Sequence, residues 1–251
     1  MVENKIQLWL LELKLYLLED IDKKDCLSKI TYFIDSTLKK DEVYLKYHNE
    51  RFPKGYVFNS FYPIEKDKYK AGNIYTVQIR TINEELKNFF MRNLKDNITN
   101  ELKGLVISER KLEYKYIDKL VSVTPIIVKT ENAYWRGNLT TEDFLNRIKN
   151  NLIKKYKRFY DENLDENEEL FEKIEFRNSV PIKCSYKNIN LLGDKVVLTI
   201  AKNPTAQKLA FLSLGAGLSE MASRGYSYVT PRGLWDKKQE VKNVKRMCGN
   251  F

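Results

Sequence analysis

Apolar and mixed residues alternate with period two from Leu11 to Leu17, and this spacing predicts a strand. A helix is predicted from about Asp22 to Leu38, where Leu27, Ile30, Ile34 and Leu38 form one apolar stripe. A polar, lysine-rich connection then leads to a second strand over Tyr56 to Phe61. Ile74 to Thr81 reads as a third, with Tyr75, Val77 and Ile79 on one side and Thr76, Gln78 and Arg80 on the other. Asn83 is placed to cap a helix carrying Leu86, Phe89, Phe90, Leu94 and Ile98, and Leu102 to Tyr116 is extended or a hairpin.

The remaining chain repeats that order of elements without repeating the sequence. Val121 to Lys129 is rich in β-formers, and Pro125 argues for an edge or a bulge. Thr140-Thr141-Glu142-Asp143 resembles a capping box opening a long helix whose stripe runs through Phe144, Ile148, Leu152, Tyr156 and Tyr160. Ile174 to Tyr186 and Lys195 to Ala201 read as strands, the latter entered through a Gly193-Asp194 turn. Asn203-Pro204 opens a short helix to about Leu212. A glycine-rich segment follows, and Tyr226 to Thr230 closes the half as a strand. Each half therefore reads β-α-β-β-α-β. The predicted class is α+β, with two tandem ferredoxin-like (RNA-recognition-motif-like) domains, each built on a mainly antiparallel sheet. The division falls near Asp118 to Leu120, giving domains over 1–118 and 119–251.

Composition narrows the partners. The 251 residues carry 44 Lys and Arg against 34 Asp and Glu, a formal net charge of +10, which favours a polyanion through counterion release and steering. The bland alternative is a generally basic protein from an AT-rich genome. Cys26, Cys184 and Cys248 are odd in number and far apart, as in a reduced cytoplasmic protein, and do not form a zinc knuckle. The apolar run from Ile6 to Leu18 is broken by Glu12 and Lys14, so it reads as neither signal peptide nor membrane span.

Candidate chemistry concentrates in two places. From Leu214 to Val229 small residues surround Arg224, and glycines and serines there allow close approach of backbone N–H groups to an anion. Gly215-Ala216-Gly217 is not a dinucleotide fingerprint, because Glu220 stands at the third glycine position, and no phosphate loop is present. An ordinary loop is the competing reading. His48 is the single histidine, set in a polar, basic connection, and its side chain suits proton transfer near neutrality; a solitary surface histidine is more often inert. Tyr32 lies off the buried stripe of the first helix, free to present its hydroxyl, although partial packing explains it as well. Arg147, Lys149, Lys154, Lys155, Lys157 and Arg158 give the long helix a basic face that either tracks phosphates or keeps it soluble. No metal-ligand spacing or nucleophile elbow is found.

Taken together, these features resemble the CRISPR-associated repeat-processing endoribonucleases, which cut precursor CRISPR RNA within its repeats. Gly217-Leu218-Ser219, five residues, then Gly225-Tyr226-Ser227 follows the spacing of that family's C-terminal loop, with serine in two glycine places. His48 lies after the first helix and before the second strand, where the family carries its catalytic histidine, and Tyr32 and Lys54 match the tyrosine and lysine of many members. Tyr44 and Tyr47 are alternatives to Tyr32.

The resemblance implies metal-independent cleavage without a cofactor. The 2′-hydroxyl attacks in line, leaving a 2′,3′-cyclic phosphate and a 5′-hydroxyl. His48 is implied as general acid or base, Lys54 as offsetting charge on the phosphorane, and Tyr32 as orienting the nucleophile or sharing proton transfer. Gly215, Gly217, Ser219, Ser223, Arg224, Gly225, Tyr226 and Arg232 are implied to hold the repeat RNA. The implied partners are CRISPR repeat RNA and other CRISPR-associated proteins of an effector complex, with homodimerisation left open and no membrane. Competing readings are a non-catalytic RNA-binding subunit of a CRISPR ribonucleoprotein and an unrelated basic adaptor. The tail from Pro231 to Phe251 is an extra helix, an RNA-gripping arm or a protein contact.

Overall fold

The structure is a computed structural model, described over residues 5–130, 134–160, 163–186 and 189–232. In chain order the first half contains β1 (Leu8–Leu17), β2 (Ile21–Asp22), α1 (Cys26–Leu38), α2 (Glu42–Asn49), β3 (Tyr56–Phe58), β4 (Lys68–Tyr69), β5 (Ile74–Thr81), α3 (Glu84–Asn93) and β6 (Leu102–Leu112). The second contains β7 (Lys119–Ser122), α4 (Thr141–Phe159), β8 (Phe171–Phe176), β9 (Ile182–Tyr186), β10 (Ile189–Gly193), β11 (Val196–Ile200), α5 (Pro204–Ala216) and β12 (Val229–Arg232).

Two four-stranded antiparallel sheets result, ordered β3-β5-β1-β6 and β12-β7-β11-β8. With the small pairs β2/β4 and β9/β10 set aside, both sheets share one order, in which the first strand of the half lies between its third and fourth. This is the ferredoxin-like arrangement, once in each half. Period-two alternation assigns the faces of β1 and β5. Leu11, Leu13, Leu15, Tyr75, Val77 and Ile79 enter the core under α1 and α3.

The opposite face of the first sheet meets the second half. Leu8 and Ile82 belong to the core built around α4, α5 and the second sheet. Helix α5 packs against β1, β3 and β5 on one side and against α4, β11 and β12 on the other. It is therefore buried nearly all round from Ala206 to Ala216, which explains why it shows no polar face. Gly215 is required at this crossing, since a Cβ there would lie 2.2 Å from Leu8 Cδ1 and 2.8 Å from Ile82 Cγ2.

Several expectations change. The fifth helix runs past Leu212 to Ala216 and takes Gly215 inside it. The lysine-rich connection contains α2, capped by Asp41, whose carboxylate accepts from Val43 N at 2.9 Å and Tyr44 N at 3.1 Å. The helix after Asn83 stops at Asn93, leaving Ile98 outside it and exposed. The final strand begins at Val229 instead of Tyr226. The tail, for which an extra helix, an RNA-gripping arm and a protein contact were all open, lies from residue 233 onwards outside the described residues. No described helix is long and apolar enough to cross a membrane.

Candidate active site

The segment that follows α5 is a clasp between the halves. Gly217 takes φ 75°, a turn of 3-10 helix spans Ala222–Arg224, and Gly225 takes φ 81°. Ala222 packs with Val57 of β3 and with Tyr228, while the space over Gly225 is closed by Phe58 of β3 and Leu27 of α1. A Cβ at Gly225 would stand 2.6 Å from Phe58 Cε2. The second half thus lays a rigid loop across the first helix and the β3 edge of the first half.

That placement brings Arg224 to Asp35. The Arg224 Nη1 group donates to Asp35 Oδ2, and Nδ1 of His48 lies 3.3 Å from the other carboxylate oxygen, Oδ1. The side chains of His48 and Asp35 are 15% and 13% exposed. His48 sits in the last turn of α2, so a helix, not a loop, sets its direction. Beside it, Lys54 Nζ donates to the carbonyls of Tyr47 and, at 2.9 Å, Glu50. The same ammonium stands over the rings of Phe52 at 4.1 Å and Tyr47 at 4.6 Å. Arg158, from α4, also lies over Phe52, at 4.4 Å.

Burial and cations set the proton affinities. Burial lowers the His48 pKa from its ordinary 6.5; Asp35 pulls it up, while Arg224, Lys39 and Lys54 push it down. Burial first, with Arg224 and Arg158 adding, lowers Lys54 to about 8 against the raising effect of Glu50 and Asp35. A half-open cleft beside this group is lined by Arg51, Lys54, Lys129, Lys155 and Arg224, with Glu220 as its acidic side chain. Arg51, Lys54, Lys129 and Arg224 give it a cationic lining that suits a polyanion, while the Lys155 ammonium is buried and bonded to backbone carbonyls.

The glycine loop differs from its expected role. Gly215 is a packing residue inside α5. Ser219 is buried, and its hydroxyl donates to Ile127 O at 3.2 Å. Tyr226 is 4% exposed and packs with Ile127 and Cys184. The N–H groups of Leu218, Arg224, Gly225, Tyr226 and Ser227 are spent on Ser227, Met221, Ala222, Met221 and Pro125 carbonyls. They hold the turn together and do not fan out toward an anion. Gly217 and Gly225 are buried, and their contribution is the backbone path. Ser223 is half-buried and hydrogen-bonds to the Tyr56 side chain. Arg224 lines the cleft and Arg232 is exposed at the end of β12.

Of the three residues expected to act in catalysis, His48 and Lys54 are drawn together. Tyr32 is 57% exposed on α1, one turn before Asp35, and its hydroxyl makes no hydrogen bond within the described residues. The alternatives are occupied. Tyr47 accepts the Gly55 N–H at 3.1 Å, and Tyr44 stacks on Phe89.

Two residues escaped the sequence reading. Asp35 carried no signal, because nothing in α1 marks its partner 189 residues away. Lys155 did carry one. It falls seven residues after Ile148, on the apolar face of α4, and it is buried, with Nζ donating to Gly217 O at 2.8 Å and Ser219 O at 2.6 Å. It therefore leaves the basic face assigned to it and props the clasp from beneath.

The family description "CRISPR associated protein Cas6, C-terminal" matches residues 107–231, which include the clasp. These residues, just under half of the chain, carry its similarity to the Cas6 family. A curated relative from Methanocaldococcus jannaschii, named CRISPR-associated endoribonuclease Cas6 2, is 26% identical over 213 residues, covering 78% of this chain and 88% of its own. Among solved structures, one named CRISPR associated protein Cas6 superposes with TM-score 0.63 at 20% identity, covering 90% of this chain and 100% of that one. Another, described as a RAMP protein binding different RNA substrates, gives TM-score 0.67 at 17% identity with the same coverage. At these identities the structural likeness speaks for the fold, and the Cas6 fold is the one described above.

Proposed function

We propose that this protein is a Cas6-family endoribonuclease that cleaves precursor CRISPR RNA within its repeats, without a metal ion, leaving a 2′,3′-cyclic phosphate and a 5′-hydroxyl. One observation carries the reading. The only histidine of the chain is joined, through Asp35, to the arginine of a loop from the other half. Relatives named as Cas6 endoribonuclease and as an RNA-binding RAMP protein support it.

The chemistry follows from what RNA brings. Its 2′-hydroxyl is the nucleophile, so the protein has to hold the phosphodiester in line, move protons and offset developing charge. With its pKa below the ordinary value, His48 is neutral at pH 7 and suited to accept the 2′-hydroxyl proton. Lys54, titrating at about 8, is largely cationic at that pH and offsets charge on the phosphorane. Tyr32, exposed one turn from Asp35, orients the nucleophile or shares proton transfer. Arg51, Lys129, Arg224 and Arg232 contact RNA phosphates, and the glycines of the clasp serve recognition by fixing its path.

A repeat transcript and the same transcript with one 2′-deoxy nucleotide at the cut test this directly. The reading predicts cleavage of the first, with a cyclic phosphate end and in the presence of chelator, and none of the second. Cutting of the deoxy substrate would overturn the mechanism. Tight binding with no cleavage of either would return the non-catalytic RNA-holding subunit.

A further inference from the structure

We propose that Asp35 is the positioning residue of this site: its carboxylate, anchored by Arg224 from the clasp, fixes the ring of His48 with Nδ1 as the protonated nitrogen and Nε2 as the one that exchanges protons with RNA. The inference rests on the endoribonuclease reading for its chemistry but not for its geometry. Asp35 lies in the last turn of α1, opposite the last turn of α2, so two helix ends aim the pair at each other.

The two oxygens of Asp35 are used differently. Oδ2 receives the guanidinium of Arg224. Oδ1 is buried and has no hydrogen bond, and the nitrogen facing it is His48 Nδ1 at 3.3 Å. A carboxylate only accepts, so the proton that satisfies Oδ1 has to be carried by Nδ1. Small closure of that 3.3 Å gap completes the bond. Nε2 then holds the free lone pair, and it has no protein partner among the described residues. A base whose second nitrogen is oriented by a carboxylate is the general logic of an activated nucleophile pair.

Arg224 gives the arrangement a second function. Because it comes from the other half of the chain, the ring is correctly held only when the clasp is seated on α1 and β3. The charged groups facing His48 are Asp35 of α1, Lys39 just beyond it, Lys54 before β3, and Arg224 of the clasp. Asp35 is the sole acid among them.

His48 is the only histidine in the sequence, so ring 15N signals of the intact protein report on it without ambiguity. Wild-type protein is predicted to show the Nδ1-protonated tautomer in the neutral form. In D35N the ring pKa falls, because the one opposing carboxylate is gone. In R224Q it rises, because a nearby cation is gone. In cleavage of a repeat transcript, D35N is predicted to lower kcat by about tenfold or more with KM changed little, and to move the acid limb of the kcat profile in the direction of the NMR shift.

Opposite signs in two variants exclude a general loosening of the fold. An unshifted ring pKa and tautomer in D35N, with kcat near wild type, would overturn the proposal while leaving the nuclease reading intact. If wild-type protein does not cleave, that reading fails, and the NMR titration still decides whether Asp35 sets the ring.

Discussion

Replacing Lys155 by methionine removes an ammonium that is 3% exposed and whose hydrogen bonds run to the Gly217 and Ser219 carbonyls. Burial lowers its pKa from 10.5 to about 7, opposed by the charge of Glu220. Between those two values the unfolded chain holds a proton that the folded chain has released. The stability of wild-type protein therefore climbs with pH through this window, by about 1.4 kcal/mol per unit for one proton. Below pH 7 both states are protonated and the contribution is lost. From pH 7.5 to 9.5 the wild-type protein gains about 2 kcal/mol over K155M.

The assay is urea unfolding of both proteins at half-unit pH steps, with the m-value checked for constancy. Taking the difference between the two proteins cancels the titrating groups that do not interact with Lys155. Wild-type and variant curves that run parallel over this range would refute a buried, neutralising lysine under the clasp.

Lys54→Arg keeps a cation at high pH. The wild-type kcat profile should rise through the lowered pKa of His48 and fall near 8, where Lys54 loses its proton; in K54R the falling limb should move beyond the measured range. An unchanged alkaline limb would remove Lys54 from charge stabilisation. Gly225→Ala adds a methyl in a left-handed backbone, 2.6 Å from Phe58. It should cost roughly 2–4 kcal/mol from strain and overpacking together, read as a lower Tm, with reduced cleavage; a variant of wild-type stability and activity would show that the clasp is not seated as described.

The elements that define the fold were legible because their signals are local. Asn83, Thr140 and Asn203 cap helices as their side-chain chemistry requires, and period two set the faces of β1 and β5. His48 was legible from its uniqueness and position. The helix around it was missed because Lys46, His48 and Asn49 read as a polar connection, although Asp41 offered the same cap that was recognised elsewhere.

In sequence, Asp194 reads as a turn residue. It is fully buried, accepting from Tyr134, Trp135, Arg136 and Asn178, partners that no local pattern announces. The packing role of the clasp's glycines is hidden for a related reason. Glycines needed for close packing and glycines that approach a phosphate look alike in sequence, and only the contacts of Gly215 and Gly225 separate the two uses. The Asp35–Arg224 pair depends on the docking of two halves, information that no window of sequence contains.

Whether His48 moves the proton in RNA cleavage is read from single-turnover cleavage of a repeat transcript by H48A, measured beside its RNA affinity. With His48 as the proton carrier, H48A cleaves at a rate lower by on the order of 10²–10⁴ with affinity nearly unchanged. Cleavage by H48A at the wild-type rate would contradict that role.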